Sequence, residues 1–252
     1  MKERPILFSA PMVRAILDGR KTQIRRIVNK TIPVGHKFHG FIIESTDKKR
    51  DGCAAWGIGD GALTYDLIVA KCPYGKPGDR LWVRETWQGP LFYEEIPEDW
   101  NSDKYKTPEY CHYKASGDSC DFTDADDNYV ERWSPSIHMP RWASRILLEV
   151  VNVRVERLND ISEDDAVAEG LMAITKDGKT IKYGIPDRDG YPGNDDIGWN
   201  WCDWNVSPVL AYKRLWESLN GPGSWDLNPW VWVIDFKRIN EEQTGGNNNP
   251  EH

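Results

Sequence analysis

The chain has no apolar run approaching the ~18 residues that a membrane-crossing helix requires, which argues against a helical span. Its start, MKERPILFSAPMV, holds no long apolar stretch ending in a small-residue cleavage site, so no secretion signal is expected and a cytoplasmic location is. Cysteine is sparse: Cys53, Cys72, Cys111, Cys120 and Cys202 are odd in number, scattered and free of any Cys-x-x-Cys pair. That pattern speaks against a disulfide framework and for reduced thiols. Only Cys111–His112 with Cys120, and the pair His36/His39, approach ligand spacing, so neither a metal nor a cofactor is expected. Positive charge is also short, with 32 Lys and Arg against 40 Asp and Glu and a net charge of −8. A protein that coats nucleic acid non-specifically works by phosphate neutralisation and needs the opposite balance. No internal repeat is present.

What is there is ordinary globular composition, 39% hydrophobic and 29% charged. A folded unit of this size buries roughly 70–75% of its extended surface, enough for a core without staples. A single domain over residues 1–239 is expected, with 240–252, NEEQTGGNNNPEH after Ile239, as a disordered tail that has nothing to bury. Charge is uneven: Arg14, Arg20, Lys21, Arg25, Arg26 and Lys30 face Asp18 alone, whereas 94–99 and 118–131 are strongly acidic. One cationic spot on an acidic body suits a discrete anionic ligand better than a long duplex.

Periodicity supplies the elements. ILFSA reads as a strand, and Ser9-Ala10-Pro11 then opens a helix whose Met12, Val13, Ile16 and Leu17 recur at helical spacing until Gly19 stops it. Residues 25–28 open a strand. KPGDRLWVRETW (76–87) is a turn followed by alternation, with Leu81, Val83, Glu85 and Trp87 on one face. RILLEVVNVRVERL (145–158) is a strand long enough to need a bulge near Val150-Val151. Ser162 followed by Glu163, Asp164 and Asp165 starts a helix, 208–221 is another with Gly221 as its stop, and 230–236 closes the fold as a strand. Strands and helices in this order make an α+β fold with a mixed or barrel-like sheet rather than a regular βα alternation.

ILDGRKTQIRRI near the start, KPGDRLWVRETW, HMPRWASRILLEV, ISEDDAVAEG and the closing NPWVWVIDFKRI together resemble the ASCH family of the PUA-like superfamily, in a version often encoded by prophages. The resemblance covers most of residues 4–238. It implies a PUA-like mixed β-barrel with flanking helices, carrying long loop insertions at about 31–70, 88–132 and 172–207. The family hallmark G-x-K-x-x-E-x-R is met here by Gly19, Lys21 and Arg26, with Ile24 in place of its polar fourth element. Relatives that remove an acetyl group from the exocyclic amine of cytidine use a lysine, a threonine three residues later and a glutamate on a later helix. Lys21 and Glu169 match the first and last, and Ile24 replaces the threonine.

Chemistry then divides the possibilities. An amide hydrolase needs a nucleophile, a base and donors for the oxyanion, and isoleucine is none of these. Thr22 has a hydroxyl but the opposite strand parity from its neighbours in the octet. A lysine held beside Glu169 is a better anchor than base, with Arg26 adding fork-shaped donors. The expectation is therefore a cationic cleft that binds RNA or a modified nucleobase or nucleoside, single-stranded nucleic acid included, through Lys21, Arg26, Arg25, Glu85, Arg141 and Trp87. The alternative is a hydrolase, either an amidohydrolase of acylated cytidine or a ribonuclease, using Lys21 and Glu169 with Thr22 as a substitute hydroxyl. A solvated lysine–arginine face and an acidic protein-binding insertion at 88–132 are the plainer options. Glu85 needs a cation such as Arg141 or Arg145 if it is buried. Of the thirteen tryptophans, Trp82, Trp216, Trp230 and Trp232 follow core periodicity, leaving Trp87, Trp133, Trp199, Trp201 and Trp204 as candidate pocket walls.

Overall fold

The computed structural model describes residues 1–91, 98–99, 102–119, 121–123, 129–193 and 198–239. The expected disordered tail, 240–252, and Cys120 lie outside these residues. Along the chain run β1 (Glu3–Leu7), α1 (Ala10–Leu17), β2 (Gln23–Ile27), β3 (Lys37–Phe41), β4 (Ala54–Ile58) and β5 (Tyr65–Ala70). They are followed by β6 (Arg80–Arg84), β7 (Trp87–Gln88), β8 (His112–Tyr113), β9 (Asp121–Thr123), β10 (Tyr129–Glu131) and β11 (Leu147–Arg157). The remainder is α2 (Glu163–Ala168), β12 (Met172–Thr175), β13 (Ile181–Gly184), α3 (Pro208–Asn220) and β14 (Trp230–Ile239). The fold is mixed α+β, mostly sheet with few helices.

Five strands make the main sheet in the order β1-β6-β11-β14-β2. β1 runs parallel to β6, and every other neighbouring pair is antiparallel. Among the described residues this sheet does not close into the expected barrel, because β1 and β2 are its two edges with no ladder between them. A side chain spans part of the seam: Arg26 Nη2 donates to the Leu7 carbonyl at 2.6 Å. β11 carries the expected bulge, a register shift between Val150 and Asn152 against β14. β2 begins at Gln23, two residues before the expected start, because its pairing with β14 runs from Gln23↔Asp235 to Ile27↔Val231.

β14 is the spine of the core. Val231, Trp232, Val233 and Ile234 are buried consecutively, so both faces of the strand are covered. The stretches expected as loop insertions hold sheets of their own. Residues 31–70 contain the antiparallel sheet β3-β4-β5, and Trp56 on it packs against Trp230 and Trp232 at ring separations of 6.1 and 6.4 Å. Residues 88–132 contribute β8 and the β9–β10 pair, and residues 172–207 the β12–β13 hairpin. Weak hydrophobic periodicity hid these strands, since short strands that lean on the core with a few aromatics leave little alternation to detect.

α1 ends as expected at Gly19, which adopts φ +75° and donates its N–H to the Ile16 carbonyl. Ser162 caps α2 by accepting from the Asp165 N–H at 3.1 Å. Glu169 is the residue that closes α2, followed by Gly170 at φ +107°.

Candidate functional site

The seam between β1 and β2 opens into a cavity of about 450 Å³. One wall is Leu7, Phe8, Ser9 and Met12 from the end of β1 and the start of α1; the opposite wall is Ile24 to Ile27 of β2. Thr86 and Ser136 line it near the end of β6, and α3 contributes Tyr212, Leu215, Trp216, Leu219 and Asn220. Lys21 and Glu169 complete the lining.

Backbone bonds deliver Lys21 to this place. After Gly19 turns the chain, the Lys21 N–H donates to Ala15 O and the Thr22 N–H to Ala168 O, both at 2.9 Å, and Lys21 forms a bridge with Glu169. The segment is thus zipped to the end of α2. The Lys21 side chain is 2% exposed. Its ammonium donates to the Glu169 backbone oxygen at 2.7 Å and to Oε2 at 2.8 Å, and lies 5.8 Å from the Phe8 ring centre. Burial lowers the pKa of the Lys21 ammonium; the Glu169 carboxylate opposes this, and Arg26 and Arg25 add to the lowering.

Strand alternation then separates the two neighbouring arginines. Gln23 and Arg25 share a face with Arg154, Glu156 and Asp235 of the paired strands, where Arg25 is fully enclosed. Arg25 reaches Asp165 Oδ2 at 2.8 Å, Glu156 Oε2 at 3.2 Å and Glu169 Oε1 at 3.3 Å, and also donates to Gln23. Arg154 bonds Asp165 at 2.7 Å and Asp235 at 2.8 Å, and pairs with Glu156. Burial works against the charge on Arg25, but Glu169 and Asp165 outweigh it and raise its pKa. Glu169 is therefore gripped on both oxygens, by Lys21 on one and Arg25 on the other. Arg26 faces the other way, opposite Trp232, and is the cavity-lining cation that makes no ion pair among the described residues.

The charges around the floor balance: Lys21, Arg25, Arg26 and Arg154 against Glu156, Asp165, Glu169 and Asp235. Arg26 stands apart from that network, so the site offers one guanidinium without an ion pair among the described residues beside a buried to half-buried, hydrogen-bonded group of three cations and four carboxylates. Tyr212 closes over it; burial, with the Glu169 carboxylate adding to it, pushes its phenol well above the usual range, so it is a neutral hydroxyl.

Four candidate residues from the sequence, Lys21, Arg25, Arg26 and Glu169, thus meet at one cavity. The others lie elsewhere. Thr22 is exposed, with its backbone spent on Ala168 and Phe236, and is not part of the lining. Glu85 is 1% exposed and held by both ends of its carboxylate, at 2.9 Å each, by Arg145, which also stacks 3.9 Å from the Tyr113 ring centre. Burial raises the Glu85 pKa against the lowering by Arg145, as expected for a structural pair rather than a rim residue. Arg141 pairs with Glu3 at 2.9 Å on the surface. Trp87 packs edge-on to Trp142 at 5.4 Å in a second apolar cluster with Cys111, Tyr113 and Met139. None of Trp87, Trp133, Trp199, Trp201 and Trp204 lines the cavity, and Trp216, assigned to the core by its spacing, does.

Sequence reasoning also passed over Phe8, Ser9, Tyr212 and Asn220. The inward stripe of α3 was visible as a 3.6-residue pattern, but a pattern does not distinguish core from cavity wall. Among the described residues no group of His, Cys, Asp and Glu is arranged to hold a metal. Cys53, Cys72, Cys111 and Cys202 are unpaired thiols. No helix of the described chain is long and apolar enough to cross a membrane. No family model matches the chain, and neither curated proteins nor solved structures give a match.

Proposed function

We propose that the seam cavity binds RNA through an inserted base, or a modified nucleobase or nucleoside, with Lys21 and Arg26 as donors and the Lys21–Glu169 pair as its floor. The carrying observation is the buried ammonium–carboxylate pair at the bottom of a 450 Å³ cavity, a size within the ~300–1,000 Å³ typical of small-molecule pockets. A near-neutral floor disfavours a multiply charged guest and suits a flat ring that carries carbonyl acceptors, with Phe8, Met12, Leu215 and Trp216 supplying apolar wall. One phosphate at most finds an unpaired partner, in Arg26. The same residues support an ASCH-like, PUA-like assignment, in which β1 and β2 form the parting edges of an incomplete barrel and Lys21, Arg26 and Glu169 occupy the family's positions. Titration calorimetry with cytidine, acetylated cytidine, uridine and short RNA tests this reading. Lys21→Ala and Arg26→Ala are expected to weaken binding at least tenfold, and affinities equal to wild type for every probe would remove it.

A hydrolase is the second reading, and two features favour it. Burial moves Lys21 towards the neutral amine that a base requires, and Ser9, exposed at the cavity wall, makes no capping bond with α1. Mass spectrometry of acetylated cytidine and RNA incubated with wild type, Lys21→Ala, Ser9→Ala and Ile24→Thr separates the readings. Turnover lost in Lys21→Ala supports the enzyme, and no turnover in wild type or Ile24→Thr leaves the binder.

A further inference from the structure

The β12–β13 hairpin carries a cationic surface that the cavity does not use. Met172↔Gly184 to Thr175↔Ile181 pair antiparallel, so Lys182 lies opposite Ile174 and on the same face as Lys176 two residues on. That face sits on Trp201: the Lys176 and Lys182 ammonium groups are 4.7 and 4.9 Å from its ring centre. Lys179 projects from the exposed turn. None of these three lysines forms an ion pair among the described residues. The one acid of the turn, Asp177, is exposed and spends Oδ1 on the turn itself, accepting from Thr175 Oγ1 and from the Lys179 and Thr180 N–H groups at 2.7–3.1 Å. The neighbouring acid Asp203 is occupied by Arg214 at 3.0 Å.

In a chain of net charge −8 the hairpin carries three lysines against one acid over residues 176–182. Lys176 and Lys182 are held against one indole, Lys182 also reaching the Trp201 carbonyl at 3.5 Å, and neither forms an ion pair among the described residues, an arrangement that an external anion relieves. Lys179 lies in the exposed turn while Lys176 and Lys182 meet at Trp201, so the ammonium groups are carried at separate points of the hairpin. Ammonium groups at separate points of an exposed hairpin complement a chain of phosphates better than one compact anion. The hairpin is also joined to the cavity through the fold. Tyr183 bridges Asn205 just ahead of α3, and β13 packs on that helix, whose other residues line the cavity.

We propose that Lys176, Lys179 and Lys182 hold the phosphodiester backbone of single-stranded RNA, so that the natural ligand of the cavity is a base within a strand and not a free nucleoside. The inference rests on the nucleobase reading of the cavity for its choice of RNA. The hairpin supplies the salt-dependent, sequence-independent part of binding, and the cavity reads the base.

The test is fluorescence anisotropy of the full chain with a labelled single-stranded 12-mer RNA across a salt series, alongside calorimetric titration of the free nucleosides. Removing all three lysines by K176A/K179A/K182A is expected to reduce the slope of log K against log salt by about 2, at ~0.7 per lost phosphate contact on a single strand. Nucleoside binding is expected to be unchanged in the triple variant and lost in Lys21→Ala, which separates the two claims. Thermal melting confirms folding, and Lys179→Ala, at a fully solvated turn, repeats the test with an expected change of ~0.7. An unchanged slope in a folded triple variant overturns the proposal. So does wild type that fails to bind RNA, that prefers single-stranded DNA of the same sequence, or whose hairpin instead captures an oligoglutamate peptide.

Discussion

Lys21 and Glu169 are each buried and each is the other's partner, so their energetics follow from what a lone charge would suffer in that place. Taking away one member of a buried pair leaves the other desolvated and typically costs about 3–5 kcal/mol. Lys21→Met and Glu169→Gln are therefore each expected to lower stability by about that amount in urea titrations. The double substitution should cost clearly less than the sum of the two, since no orphan charge remains. Cysteine chemistry is decided at the same scale. Burial pushes the Cys72 and Cys111 thiols up to about 11, whereas Cys202 is exposed. At pH 8 a thiol-alkylating reagent is expected to modify Cys202 well before Cys72 and Cys111, read by peptide mass spectrometry.

Among the elements, α2 is six residues long, too short to persist without its ends fixed. Ser162 fixes the first end, and Ser162→Ala is expected to cost about 1 kcal/mol in denaturation. Gly170 fixes the second. It adopts φ +107°, and a β-carbon there would lie 3.0 Å from Ala15 Cβ and 3.2 Å from Lys21 Cβ. Gly170→Ala thus combines backbone strain with pressure on the residue that floors the cavity. It is expected to lower stability by more than ~1 kcal/mol and, under the function proposed for the cavity, to weaken nucleoside binding as well. Ser162→Ala, at the opposite end of α2, serves as its comparison. The parity of β2 matters in the same way: it sends Arg25 into the carboxylates behind the sheet and Arg26 to the seam, so neighbours of identical chemistry acquire different work.

For the whole molecule, pH dependence sums the shifted groups. Asp79, bonded to Arg4 and to the Lys2 and Lys76 N–H groups, and Asp165, bonded to Gln23 and Arg25, have carboxyls held below 3.8 by those partners against the opposing effect of burial. Their contribution is complete above that value and disappears as pH falls through the folded pKa, so stability drops in strong acid. Tyr212 is raised, so the folded state keeps its proton above pH 10 while the unfolded chain loses it, and its contribution declines as pH rises past 10. Lys21 acts in the contrary sense: its lowered pKa makes folding easier as pH climbs towards 10.5. Tyr212→Phe is expected to flatten the alkaline decline, measured by urea midpoints between pH 9 and 11.5, and a decline as steep as wild type would contradict this account.

Much was legible in the amino-acid order alone. Helix ends at Gly19, Ser162 and Gly221, the bulge in β11, the alternation of β6 and the clustering of cations after α1 are local facts, written in turn chemistry, caps and period. The α+β class followed from their order. What the sequence could not contain was the pairing of distant elements. Glu85, Arg141 and Trp87 have the right chemistry for a site, yet Arg145, Glu3 and Trp142 claim them, and each of those partners is far along the chain. Whether β1 and β2 close a barrel or part around a cavity, and whether Trp216 meets core or cavity, depends on side chains far along the chain filling or leaving space. Local propensity sees only neighbours in sequence, and packing decides the rest.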